Sequence, residues 1–355
     1  MSTRPQDLVR PEILALTAYH VPPATGMIKL DAMENPYHLP ERLRDALADI
    51  VHGVSLNRYP DASCSQLKGA LRKAFEVPEA SGLVLGNGSD ELIQIVAMAL
   101  AKPGAVLVAP EPSFVMYRQI AAFCGLRYVG VPLREDFSLD AAAMLEVIGR
   151  EQPAVVFLAY PNNPTGNLFP ERDVEAIIRA TPGVVVVDEA YAPFASASFM
   201  PRVAEFDNLV VMRTMSKMGL AALRLGYMVG APAWMDEFEK LRLPYNISAL
   251  SQAIATRLLD AREALDNQAT AIVAERARLQ RELAATKGVT VFPSQANFLL
   301  FRVADATRIH AGLKSRRILI KNLDGSHPML ADCLRVTVGT PTENDAFLSV
   351  LGELV

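Results

Sequence analysis

The chain has 355 residues, 51 % of them hydrophobic and 21 % charged, with a formal net charge of −4. A sizeable core can be buried, in two domains or in one large domain with an appendage. The charges are dispersed, so no basic stripe points to nucleic acid and no cationic amphipathic helix points to a membrane surface.

No apolar run reaches the roughly 18 residues of a membrane span, and the N-terminus lacks the apolar stretch of a secretory signal. Cys64, Cys124 and Cys333 are odd in number, widely spaced and without a CxxC pair, which reads as reduced thiols in a cytoplasmic protein. His20, His38, His52, His310 and His327 never fall at ligand spacing, so no metal site is expected.

Residues 1–43 are irregular and dotted with prolines, and read as an arm lying over other parts of the molecule. From about Leu83 the pattern turns βα. "LVLGNGS" is a short strand with a glycine loop, and the helix through "DELIQIVAMALA" stops at Lys102-Pro103-Gly104. Strand "AVLVAP", helix "FVMYRQIAAFCG", strand "LRYVGVPL" and helix "LDAAAMLEVIGR" follow. Strand "AVVFLAYP" runs into "NNPTG", then come helix "ERDVEAIIRA" and strands "GVVVVDEAY", "LVVMRTMSK" and "LGYMVG". Continuous Val, Leu and Ile runs, rather than strict alternation, suit strands covered on both faces, as in a largely parallel sheet. Residues 248–286 are helix-like, and strands "VTVFP", "NFLLFRV" and "LRVTVG" complete a smaller unit. The expected fold class is α/β. A large domain over 44–245 would hold a mostly parallel central sheet with helices on both faces. A smaller α+β domain over 246–355 would take in part of the 1–43 arm.

Five stretches fall at or just beyond strand ends, where open α/β sheets bind their ligands. In Gly86-Asn87-Gly88-Ser89-Asp90-Glu91 the glycines permit close backbone approach and Ser89 or Asp90 can cap the next helix. The N–H groups of that first turn suit an anion; an ordinary turn before a capped helix has the same appearance. The stretch is neither GxGxxG nor a Walker A loop, which argues against a dinucleotide or a nucleoside triphosphate. "YPNNPTGN" puts Asn162 and Asn163 at a strand exit. Asp188 ends four valines, where an uncompensated carboxylate is costly to bury, so it either meets a cationic or N–H partner or caps the next segment. Tyr191 follows three residues on.

Lys217 stands in "RTMSKMGLAALRLGY", between a strand and an apolar helix start. Such company lowers an amine's pKa and suits a nucleophile, and Ser216 and Arg224 offer a hydroxyl and a guanidinium to a phosphate. A lysine snorkelling from a strand end is the alternative. Arg335, inside the β-branched strand "CLRVTVGT", is a bidentate carboxylate clamp or a structural salt bridge.

Together these pieces describe one ligand: an anionic group, a ring nitrogen needing a carboxylate, a carbonyl needing an amine, and a substrate carboxylate needing arginine. Pyridoxal 5′-phosphate (PLP) has those features. With "NNPTG", "VVDEAY", "RTMSKMGLAALRLGY" and "LRVTVGT" in this order, the sequence resembles the fold-type-I PLP-dependent aminotransferases of class I/II over nearly its whole length. "LNRYPD" (Leu56–Asp61), "ENP" (Glu34–Pro36) and "CLRVTVGT" are most similar to the branch acting on histidinol phosphate.

The resemblance implies three catalytic residues. Lys217 would bond the cofactor covalently and shuttle a proton, Asp188 would pair with the protonated ring nitrogen, and Tyr191 would share the ring 3′-oxygen with Asn163. Phe114 would stack on the ring. Ser89, Asp90, Thr214, Ser216 and Arg224 would hold the phosphate, joined by Tyr59 from a neighbouring subunit, which implies a homodimer. Arg335 would grip the substrate carboxylate with Asn163 assisting, Tyr19 would close over the substrate, and Lys321 would meet a second anion. The implied reaction interconverts L-histidinol phosphate and 2-oxoglutarate with imidazole acetol phosphate and L-glutamate, in histidine biosynthesis. A threonine-phosphate-type decarboxylase and an aminotransferase for aromatic or other amino acids share much of the pattern. A non-catalytic effector domain of a transcription regulator would need an added helix-turn-helix, for which the arm is too short.

Two departures stand out. Lys217 and Arg224 are seven residues apart where many relatives have eight, a shortening that would turn an α-helix by about 100°. Lys321 stands where some relatives carry an arginine, and lysine cannot form a bidentate fork.

Overall fold

The computed structural model describes residues 4–18 and 21–355. Its twelve strands are β1 (Ile28–Leu30), β2 (Gly82–Asn87), β3 (Val106–Glu111), β4 (Arg127–Pro132), β5 (Val155–Ala159), β6 (Val184–Asp188), β7 (Leu209–Thr214), β8 (Leu225–Gly230), β9 (Val289–Val291), β10 (Phe298–Val303), β11 (Ile318–Asn322) and β12 (Cys333–Thr337). Seven of them form a sheet in the order β2-β8-β7-β6-β5-β3-β4, in which only β8 runs against its neighbours.

The valine runs have the predicted cause. Along β6, Val185 and Val187 face one core while Val184 and Val186 face another. A strand alternates its side chains between faces, so a sheet buried on both sides needs apolar residues at every position. Helices Ser89–Leu100, Met116–Cys124 and Pro232–Glu239 cover one face. Ser65–Ala74, Ala141–Glu151, Glu171–Ala180 and Ala249–Leu259 cover the other.

The second sheet runs β1-β11-β12-β10-β9, antiparallel except for the β1–β11 pair. It packs against helices Glu263–Ala285, Ala306–Ser315 and Pro341–Leu354. Here the structure departs from expectation in three places. The arm is not wholly irregular: β1 within it adds a parallel edge to β11, because Ile28 and Leu30 find a ready apolar edge there. "ILIKN" is a full strand, and the helix-like stretch 248–286 is two helices broken at residues 260–262. Cys64, Cys124 and Cys333 are free thiols. Among the described residues, no helix is long and apolar enough to cross a membrane, and no cluster of ligating side chains could hold a metal ion.

Candidate active site

A cavity opens where β3, β5, β6 and β7 end, the carboxyl edge at which such sheets place their ligands. Its wall includes Ser89, Asp90, Phe114, Asn163, Asp188, Tyr191, Thr214, Ser216, Lys217 and Arg224. The first and last of these residues are 135 positions apart in sequence, and the parallel crossovers bring them together.

At one end sits an anion cup. The cap of helix Ser89–Leu100 is Gly88, at φ +82°, and not Ser89 or Asp90, which stand in the first turn. The correction has a steric cause: a Cβ on Gly88 would lie 2.5 Å from Nη2 of Arg224, so only glycine lets the turn and the guanidinium meet. The first-turn N–H groups precede any intrahelical acceptor and suit an anion. The Thr214 hydroxyl donates to Oγ of Ser216 at 3.0 Å, and Arg224 Nη1 reaches the same oxygen at 3.5 Å.

The expected apolar helix after Lys217 is absent. Two 3₁₀ turns, Ser216–Met218 and Ala221–Leu223, replace it, joined through Gly219 at φ +107°. Arg224 then takes a left-handed conformation at φ +48° and turns its side chain into the cup. The seven-residue spacing is thus accommodated by tighter turns and two left-handed residues, and the α-helical phase shift does not arise.

Asp188 ends β6 almost fully buried. Its Oδ2 accepts from the Tyr117 hydroxyl at 2.7 Å and its Oδ1 from the Ala190 N–H at 3.1 Å. Burial pushes its pKa up to about 6, with Asp90 and Glu189 adding to the rise and the two donors opposing it. The Lys217 amine donates to the Ala32 carbonyl at 3.1 Å and lies 5.7 Å from the centre of the Tyr191 ring. Burial, helped by the Arg335 charge, lowers that amine to about 8. Asn163 Nδ2 donates to the Tyr191 hydroxyl at 3.1 Å. Asn162, its neighbour, instead knits the loop through Pro112 O, Thr165 and Ser113.

The arrangement suits one planar ligand. A buried carboxylate, an amine of lowered pKa, a paired amide and phenol, a flanking aromatic ring and a guanidinium-hydroxyl cup fit a phosphorylated pyridine aldehyde group by group. A model of the family described as aminotransferase class I and II matches residues 25–351. The chain belongs to the class I and II aminotransferases. It is 57 % identical to the histidinol-phosphate aminotransferase of Chromobacterium violaceum, over 98 % of this chain and 97 % of that protein. It is 55 % identical to histidinol-phosphate aminotransferase 1 of Ralstonia nicotianae, over 96 % and 92 %. The crystal structure of histidinol-phosphate aminotransferase from Sinorhizobium meliloti in complex with pyridoxal-5′-phosphate superposes with a TM-score of 0.87 at 27 % identity, covering 97 % and 96 % of the two chains.

In this class I and II aminotransferase a second cavity adjoins the first through Met33, Phe114 and Asn163. Arg335 and Lys321 line it, and they are directly opposed residues of β12 and β11. The Arg335 guanidinium donates from Nη1 to Asn163 Oδ1 and from Nη2 to the Asp31 carbonyl at 3.1 Å. Tyr59 is elsewhere: it is 81 % exposed and stacks on Tyr245 at 4.5 Å. Tyr19 lies outside the described residues. Sequence patterns missed Tyr117 and the segment Asp31–Met33. The only cue for Tyr117 is an aromatic residue on an apolar helix, which core packing explains equally well.

Proposed function

We propose that this aminotransferase uses pyridoxal 5′-phosphate to exchange an amino group between L-histidinol phosphate and 2-oxoglutarate, giving imidazole acetol phosphate and L-glutamate. The observation that carries the cofactor is the convergence of Lys217, Asp188, Asn163, Tyr191 and Arg224 on one cavity. Identity above 50 % over nearly full length to proteins named for histidinol phosphate supports the substrate. It also favours transamination over decarboxylation and over an aromatic donor.

When bound, the cofactor supplies a carbonyl carbon for an amine and a ring that stores the electron pair left on the substrate carbon. The rest of the reading concerns this chain's own residues. Lys217 Nζ is the nucleophile that holds the cofactor and then carries a proton to and from the substrate carbon. Asp188 stays ionised against the ring nitrogen's proton, and Asn163 and Tyr191 orient the ring 3′-oxygen. Phe114 covers the ring face. The Ser89 and Asp90 N–H groups, Thr214, Ser216 and Arg224 anchor the phosphate. Arg335, with Asn163, takes the glutamate carboxylate or the substrate phosphate, and Lys321 follows whichever anion is present.

A cytoplasmic homodimer belongs to the same proposal. Tyr59 is exposed and outside its own chain's cavity, stacked on exposed Tyr245, which suits delivery of its hydroxyl to a partner's cofactor phosphate. The division into an arm of 1–43, a large domain of 44–245 and a small domain of 246–355 completes it.

The deciding experiment assays the PLP-loaded protein against a panel of amino donors with 2-oxoglutarate as acceptor. Histidinol phosphate should give the highest kcat/KM. A clear preference for phenylalanine, or release of carbon dioxide from a phosphorylated amino acid, would overturn the assignment.

A further inference from the structure

We propose that Tyr117 is a positioning residue for the cofactor: it sets the Asp188 carboxylate through its hydroxyl and the Phe114 ring through its own ring. The proposal rests on the PLP reading above and assigns a role to a side chain outside the cavity wall.

Tyr117 is the second residue of helix Met116–Cys124 and has no exposed surface. A phenol buried in apolar surroundings requires a partner, since an unpaired hydroxyl there is destabilising. Its partner is Asp188 Oδ2, at 2.7 Å, a short contact of the kind an ionised acceptor makes. The Ala190 N–H holds the other oxygen at 3.1 Å. With one donor on each oxygen, the carboxylate cannot rotate without losing a bond, so its plane is fixed before any ligand arrives.

The tyrosine ring is fixed in turn. Phe157 on β5 stacks on it at 4.7 Å and 21°, and Phe114 meets it edge-on at 5.5 Å and 85°. One buried side chain therefore links the group placed for the ring nitrogen and the aromatic placed for the ring face. The hydroxyl also has an electrostatic task. Asp188 lies near two other carboxylates, Asp90 and Glu189, and Glu189 is itself paired with Arg213 on β7. Both acids and the apolar burial favour a protonated Asp188, which could not pair with a protonated ring nitrogen. A phenol donor favours the ionised form.

Tyr117→Phe removes one oxygen and keeps the packing, so it is the variant of choice, with thermal unfolding of the cofactor-free protein as a fold control. The readout is the PLP dissociation constant of the cofactor-free protein, titrated by absorbance. Tyr117→Phe should weaken binding about tenfold, the share of one charge-assisted hydrogen bond. In an Asp188→Ala background the same change should alter it by less than about twofold, because a residue acting through another shows no independent effect. A carbon-for-nitrogen ring analogue of PLP, titrated against wild type and Tyr117→Phe, repeats the test without the Asp188 variant and should bind both alike. Equal losses with both ligands, or an unchanged PLP constant in Tyr117→Phe, would overturn the proposal. A wild-type protein that binds no PLP would instead overturn the cofactor reading itself.

Discussion

Replacing Gly88 by alanine should loosen the phosphate cup, and the effect separates into two parts. Gly88 has φ +82° and ψ 170°, a region open essentially to glycine alone, and a side chain there is strained by about 1–3 kcal/mol. That part acts on folding. The second part is a collision: the new Cβ would sit 2.5 Å from Arg224 Nη2 and 3.2 Å from its Cζ. The guanidinium must withdraw, and a charged hydrogen bond to the cofactor phosphate is worth about 1.5–3 kcal/mol. Cofactor affinity should therefore fall by about 10- to 150-fold, at roughly 1.4 kcal/mol per tenfold. Gly104→Ala supplies the control, because Gly104 shares the positive φ (+79°) but has nothing within 4 Å of its added Cβ. Absorbance titration with PLP gives the affinities, and thermal unfolding of the cofactor-free proteins gives the strain. A Gly88→Ala protein that folds and binds PLP within twofold of wild type would show that Arg224 does not hold the phosphate in the way described.

Other outcomes follow from the same geometry. With Lys217 lowered to about 8 against 10.5 for an ordinary lysine, the unfolded chain binds more protons than the folded one across that window. The cofactor-free protein should thus gain stability as pH rises from about 8 to 10.5, and its rate of covalent PLP capture should rise with a midpoint near 8; a midpoint above 10 in stopped-flow absorbance would refute the burial argument. Arg335→Ala and Lys321→Ala should each reduce kcat/KM for histidinol phosphate by an amount worth about 1–3 kcal/mol, the arginine at least as much as the lysine. Unchanged kinetics in the Lys321 variant would remove that residue from the site. Mixing inactive Tyr59→Ala and Lys217→Ala proteins should restore activity in hybrid dimers, since one site per hybrid then has both residues; proven subunit exchange without recovered activity would count against a shared site.

Much of this site was legible in the sequence for a physical reason. Asp188, Asn163, Thr214 and Lys217 follow strands whose continuous apolar runs announce burial on both faces, so polar residues at the exits had to be placed for a ligand. The groups that hold those residues were not legible. Tyr117 looks like any core aromatic, and its partner lies 71 positions away. The turn after Lys217 is not legible because "MGLAAL" has good helix formers, while the tertiary demand on Arg224 and the left-handed Gly219 select 3₁₀ turns instead. β1 was missed because three residues carry no period, and only the edge of β11 gives them a place.

Asp31, Ala32 and Met33 bridge the two sheets of the molecule. Arg335 holds the Asp31 carbonyl, Thr337 accepts from the Met33 N–H, and Asn297 donates to the Met33 carbonyl, so this strap is tied to the five-stranded sheet. Between those ties the Ala32 carbonyl accepts from the Lys217 amine, which stands just beyond β7 of the seven-stranded sheet. The Arg335 guanidinium and the Lys217 amine are therefore held by neighbouring carbonyls of a single strap. An anion that drew Arg335 away from the Asp31 carbonyl would loosen this strap one residue from the carbonyl that holds Lys217.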